Sequence, residues 1–204
     1  MTAIVVYVRK NALSNFKKKV VNNAIHEWVL WGRQLSKGGS SLQTGSKECS
    51  FVYQERVGEY WKKGTDKNYD GCSDVPWSAA FISFIMKKSG AGNTFPYTAA
   101  HTNYIREFIK NREQGKAFEA YRLTEKPLEI GDLICYSRQD GINYNTTHSY
   151  LSHCDIVVKV NKSTAEAIGG NVSDGVTKRI VEVDKDGYLT DTYNDWFTII
   201  KTMR

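Results

Sequence analysis

The chemistry legible in this sequence centres on Ser78. Residues 74–83 read Asp-Val-Pro-Trp-Ser-Ala-Ala-Phe-Ile-Ser. Pro76 suits the first turn of a helix, where its missing amide hydrogen costs nothing. A nucleophile at a helix start has free backbone N–H groups beside it. It also has the positive helix end, and both stabilise a developing oxyanion. A serine hydroxyl is far from ionised at neutral pH, so it needs a general base. The sequence offers His153, which opens the run His-Cys-Asp-Ile-Val-Val. A third group must then hold the other imidazole nitrogen. Asn171, closing the next strand after Gly169-Gly170, is the first choice. Asp155 shares a strand face with His153, but side chains on one face stand in parallel, so turning back to His153 is awkward. Its charge nevertheless suits a serine better than a neutral amide does. Asp174 or a backbone carbonyl is the remaining alternative.

Other residues are read beside their plainer roles. His101, in Ala-Ala-His-Thr-Asn-Tyr, either lines the cleft or caps the following helix. With Trp77, Asp74 and Tyr104 it forms the expected substrate-binding set. His148 is a spare base in a polar loop, His26 is structural, and Asp132 serves a turn.

The elements that must position these residues follow from periodicity. A helix over 15–35, capped by Ser14, carries Phe16, Val20, Ala24, Ile25, Trp28 and Trp31 at helical spacing. Residues 36–47, Ser-Lys-Gly-Gly-Ser-Ser-Leu-Gln-Thr-Gly-Ser-Lys, read as a flexible loop. Further helices are expected over 50–62, after Pro76, and over 102–112. The helix after Pro76 is apolar almost all round, hence central and buried, and it ends at Lys87-Lys88-Ser89-Gly90. Strands are expected over 132–137, 153–160, 164–169, 177–183 and 196–201, giving a largely antiparallel, curved sheet. Ile4 to Val8 is a short strand or leader. Helices followed by strands make an α+β chain, divided into an N-terminal helical region, residues 1–70, packed on a core of residues 71–204.

At 204 residues, with 12% aromatic content, the chain can bury a core and is not disordered. Its net charge of +6 suits an anionic partner such as cell wall, but no nucleic-acid module is present. No stretch approaches the roughly 18 apolar residues of a membrane span. The start lacks the pattern of a signal peptide. Cys49, Cys72, Cys135 and Cys154 lack metal-site spacing, so neither metal nor cofactor is expected. Cys135 and Cys154 are read either as a cross-strand pair or as buried thiols.

Four segments together resemble papain-like cell-wall amidases and endopeptidases of the CHAP and NlpC type. They are Trp77-Ser78-Ala79-Ala80-Phe81-Ile82, Pro127 to Leu133 with its Gly-Asp-Leu end, His153-Cys154-Asp155-Ile156-Val157, and Gly169-Gly170-Asn171. The chain looks closest to a bacterial branch with serine in the cysteine's place, and some proteins resembling that branch are antibacterial effectors of type VI secretion. The resemblance implies a papain-like fold, with Ser78 as nucleophile, His153 as base and Asn171 as third member. It implies cleavage of peptidoglycan stem peptides in a target cell's periplasm, after synthesis in the cytoplasm without a signal peptide. The implied partners are a cognate immunity protein and a secretion-machine component, with no stable membrane insertion. Gly169 departs from the glutamate that such enzymes often carry. The other readings are hydrolysis of another amide or ester bond, and a non-catalytic wall-binding or protein-binding module.

Overall fold

The structure is a computed structural model that describes residues 13–203. The strand or leader expected at Ile4 to Val8 lies outside the described residues. Helix α1 (Asn15–Leu30) starts where Ser14 Oγ accepts the Lys17 N–H at 3.2 Å. It stops five residues before the expected end, because Gly32 and Arg33 take positive φ and turn the chain into strand β1 (Gln34–Lys37).

The segment read as a flexible loop is instead a β-hairpin, β1 followed by β2 (Ser40–Gln43). Gly38 and Gly39 both have positive φ (50° and 76°), the requirement of a two-residue hairpin turn. The Gly/Ser composition that suggested flexibility is therefore the turn chemistry itself. Helix α2 (Phe51–Thr65) and helix α3 (Ser78–Ser89) pack against each other. Gly64 permits the contact, since a Cβ there would lie 2.6 Å from the Ala80 carbonyl oxygen. Helix α4 (His101–Lys110) follows a short 3-10 turn at Gly92–Thr94.

The remaining strands are β3 (Phe118–Tyr121), β4 (Leu133–Ser137), β5 (Ser152–Val160), β6 (Thr164–Gly170), β7 (Val176–Glu182) and β8 (Asp195–Thr202). They form one open eight-stranded sheet in the order β2-β1-β7-β6-β5-β4-β8-β3, not closed into a barrel. All neighbours are antiparallel except β1 and β7. The fold is thus α+β, with α1, α3 and α4 packed against the sheet, α2 packed on α3, and a general resemblance to papain-like topology. Strand β3 was not expected, because a four-residue run carries too little alternation to stand out.

Alternation along β5 sorts its side chains. Cys154, Ile156 and Val158 join the large core that contains α3, whereas Val157 joins a smaller cluster with Ile134, Ala167 and Ile199. Cys135 and Cys154 are register partners on β4 and β5, with Cα atoms 4.1 Å apart, and form a disulfide. A second disulfide, Cys49–Cys72, which nothing in the spacing announced, ties the residues before α2 to the loop before α3. Asp132 serves its turn, accepting the Glu129 N–H at 2.8 Å, and also pairs with Lys201 Nζ at 2.6 Å. Among the described residues no helix is long and apolar enough to cross a membrane.

Candidate active site

The start of α3 is fixed by aromatic packing. Trp77, the residue before Ser78, is 1% exposed and stacks on Trp31 and Tyr60. Its indole N–H donates to Glu48 Oε2. Gly170 brings the sheet close, since a Cβ there would lie 2.5 Å from Phe81 and 2.7 Å from Trp77. The first helical hydrogen bond runs from Phe81 N–H to Trp77 O at 2.9 Å. The N–H groups of Ser78, Ala79 and Ala80 precede that ladder and are the free donors of the helix end.

Ser78 and His101 form a hydrogen-bonded pair, with 2.7 Å between Oγ and Nε2. The other ring nitrogen of His101, Nδ1, bonds Tyr104 Oη one turn along α4. All three residues are buried. Burial, reinforced by the nearby His153, holds the His101 pKa well below the ordinary 6.5. Burial, with the charge of Asp155, raises Tyr104 well above 10. At neutral pH this chain of contacts is therefore uncharged.

A second pair lies beside the first. His153 Nε2 and Asp155 Oδ1 are 2.8 Å apart, and the His101 and His153 rings are 5.3 Å apart between centroids. Asp155 is completely buried. Burial opposes its ionisation, but Arg179 and then His153 outweigh this and hold its pKa below the usual carboxylate value. Arg179 Nε lies 3.6 Å from Asp155 Oδ2, and Arg179 also donates to Tyr136 Oη at 3.0 Å. Burial depresses His153 despite Asp155 pulling the other way, so the imidazole is neutral and its Nε2–H faces the carboxylate.

These contacts redraw the expected triad. The anticipated Ser78–His153 bond is replaced by Ser78–His101. In β5, His153 shares the parity of Val157, not that of the residues facing α3, so the strand does not aim it at the helix start. The third group on His153 is Asp155 rather than Asn171. The parallel orientation that argued against Asp155 is overcome because the long imidazole leans along the strand. Gly169 leaves the necessary space, since a Cβ there would sit 1.8 Å from Asp155 Oδ1 and 2.9 Å from His153 Nε2. The missing glutamate at 169 is thus the counterpart of the aspartate at 155.

Asn171 takes positive φ (56°). In the amide orientation that satisfies both neighbours, its oxygen accepts the Trp77 N–H (3.1 Å) and its nitrogen faces Glu48 Oε2 (3.2 Å). It braces the residue before Ser78 instead of touching His153. Asp74 is exposed near the mouth of the helix and Asp174 lies beside Lys47. His148 is exposed and bonds a backbone carbonyl. Glu48, Arg179 and Gly169 contribute without having been singled out as site residues. The His101–Tyr104 spacing of three on a helix was the available signal for that pair.

Ser78 and His101 share the wall of a cleft of about 270 Å³ with residues of the α2 end, the loop before α3 and the start of β5. Among the described residues no cluster of three or more His, Cys, Asp or Glu side chains is arranged to hold a metal ion. Such an arrangement, a serine on a helix end bonded to a neutral imidazole in an open cleft, can carry nucleophilic acyl transfer. Over residues 48–201 the chain matches the family DUF2272, described as an uncharacterized protein conserved in bacteria, and it belongs to that family. No curated protein and no solved structure matches it.

Proposed function

We propose that this protein is an acyl hydrolase that cleaves an amide bond of peptidoglycan stem peptides, with Ser78 as nucleophile and His101 as base. The observation that carries the reading is the 2.7 Å contact between Ser78 Oγ and His101 Nε2 at the cleft wall. With Nδ1–H donating to Tyr104, Nε2 holds the lone pair and accepts the serine proton. Ser78 Oγ attacks the carbonyl carbon, and the oxyanion is met by the N–H groups at the start of α3. The imidazolium then protonates the leaving amine as the C–N bond breaks, leaving an acyl-serine. His101 takes a proton from water, whose oxygen attacks the ester. The acid product departs and Ser78 recovers its proton.

His153, held by Asp155, is the positioning partner, its ring against that of His101. The resemblance of four sequence segments to CHAP- and NlpC-type enzymes supports the stem-peptide substrate, and the +6 charge suits an anionic wall. Two disulfides suit an oxidising compartment such as a periplasm. Together these support an antibacterial effector delivered to another cell, whose own producer would need an immunity protein.

The test is incubation of purified cell wall with the protein, followed by quantitation of new free amines and soluble muropeptides. The wild type is expected to release both, and Ser78→Ala to lose at least about 10³-fold in rate. Undiminished release by Ser78→Ala would overturn the nucleophile assignment.

A further inference from the structure

The cleft over Ser78 has a one-sided chemistry. Two cationic side chains, Lys67 from the end of α2 and Arg138 just after β4, line it, and no Asp or Glu does. Among the described residues, every ion pair involves other groups, so both cations are electrostatically available. Each is solvent-exposed at the rim. The field of Arg138 reaches inward, contributing to the depressed pKa values of His101 and His153.

A second observation points the same way. Trp61 and Ser152 also line the cleft and are more than nine-tenths buried. Trp61 Nε1, Ser152 Oγ and the Oη of Tyr150, a third buried residue of the lining, have no hydrogen-bond partner among the described residues. Buried donors are ordinarily satisfied, and each one left over calls for an explanation. The indole N–H can only donate, and the serine and tyrosine hydroxyls can do so. Two free cations on the cleft surface, with no acid opposing them and three unpartnered polar groups buried in its lining residues, complement an acceptor-rich anion. Exposed Tyr69 and Leu151 supply apolar contact on the same wall.

We infer that this cleft holds a substrate carboxylate close to the scissile amide, bound by Arg138 and Lys67 over the Ser78–His101 pair. The inference rests on the hydrolase reading for its orientation, but the subsite itself is tested without turnover. Arg138 and Lys67 are specificity residues: they touch the substrate away from the reacting atoms.

The experiment uses full-length Ser78→Ala and two probes, the tripeptide Ala-γ-Glu-Lys and the same peptide with the glutamate α-carboxylate converted to a carboxamide. Calorimetry is expected to show the carboxylate peptide binding about tenfold tighter, the scale of one charge-assisted hydrogen bond. Adding Arg138→Gln should erase most of that preference and Lys67→Gln part of it, while Arg138→Lys retains some. Raised salt should shrink the preference, since the cations are exposed. Equal affinities for the two peptides, no binding of either, or a preference untouched by Arg138→Gln would overturn the subsite. Turnover by the wild type is followed separately. Hydrolysis of both peptides at equal rates keeps the hydrolase and removes the subsite. Selective binding with no hydrolysis of any acyl bond does the reverse.

Discussion

The two buried histidines are held by opposite means. His101 leans on a neutral tyrosine and touches the serine, whereas His153 leans on a buried carboxylate and touches no nucleophile. The first pair lies at the start of two helices beside an open cleft. The second lies on a strand face behind it, backed by Arg179 and Tyr136. The difference separates reactivity from rigidity. A base needs a lone pair in reach of the proton, which His101 has. A buried carboxylate needs compensation: Asp155 Oδ1 is bonded to His153, whereas Oδ2 has only the 3.6 Å ion pair with Arg179 and no hydrogen bond. Proton transfer therefore belongs to the neutral side and architecture to the charged side.

Breaking the two sides should have different signatures. The largest effect on turnover is expected from His101→Ala, which should lower it about 10³-fold or more in the protein that remains folded. Loss of comparable size from His153→Ala alone, with His101→Ala active, would reverse the assignment. Asp155→Ala should act mainly on stability. Removing the carboxylate leaves the partly buried Arg179 and the buried His153 without their acceptor, and chemical denaturation should read a loss of about 3 kcal/mol. Gly169→Ala should push Asp155 off His153 and cost about 1–3 kcal/mol as overpacking, leaving the Ser78–His101 contact in place. Its activity should fall less than that of His101→Ala.

Acidity should weaken the protein from the same region. His101 and His153 both have folded pKa values below 6.5. Folding therefore favours their neutral forms, and the unfolded chain binds protons first as pH drops. Their stabilisation is complete above about 6.5 and is lost as pH falls from there through their depressed folded values. Asp155, also depressed, adds a loss beginning below its ordinary 3.8. Denaturation midpoints measured between pH 8 and pH 5 should fall with pH, and His153→Gln should flatten the slope. The smallest effect is expected from Tyr104→Phe, which removes only a neutral hydrogen bond to Nδ1 and should lower turnover about tenfold.

Much of this arrangement was legible in the residues. Pro76 and the apolar run after Ser78 marked α3, and the alternation of β5 to β8 marked the sheet. Local signals suffice for elements whose pattern spans two turns or six strand residues. The β1–β2 hairpin was hidden because its turn residues resemble those of a loop, and its pairing with β7 crosses more than 130 residues. The site was harder for the same reason. Gly169 declares its purpose only when Asp155 is seen across the strands. His101 sits 23 residues from Ser78, joined to it by the turn at Gly92–Thr94 and the entry into α4, and no spacing rule predicts that closure. His153 carried the strand signal expected of a base, but which face it occupied depended on the core around it.

Activation of Ser78 by His101 is tested most directly by an active-site serine probe that needs no substrate. The wild type, Ser78→Ala and His101→Ala are treated with a fluorophosphonate, and the adduct is located by peptide mass spectrometry. A single phosphonylated peptide containing Ser78 is expected in the wild type and none in either variant. An unlabelled wild type, or labelling that persists in His101→Ala, would contradict it.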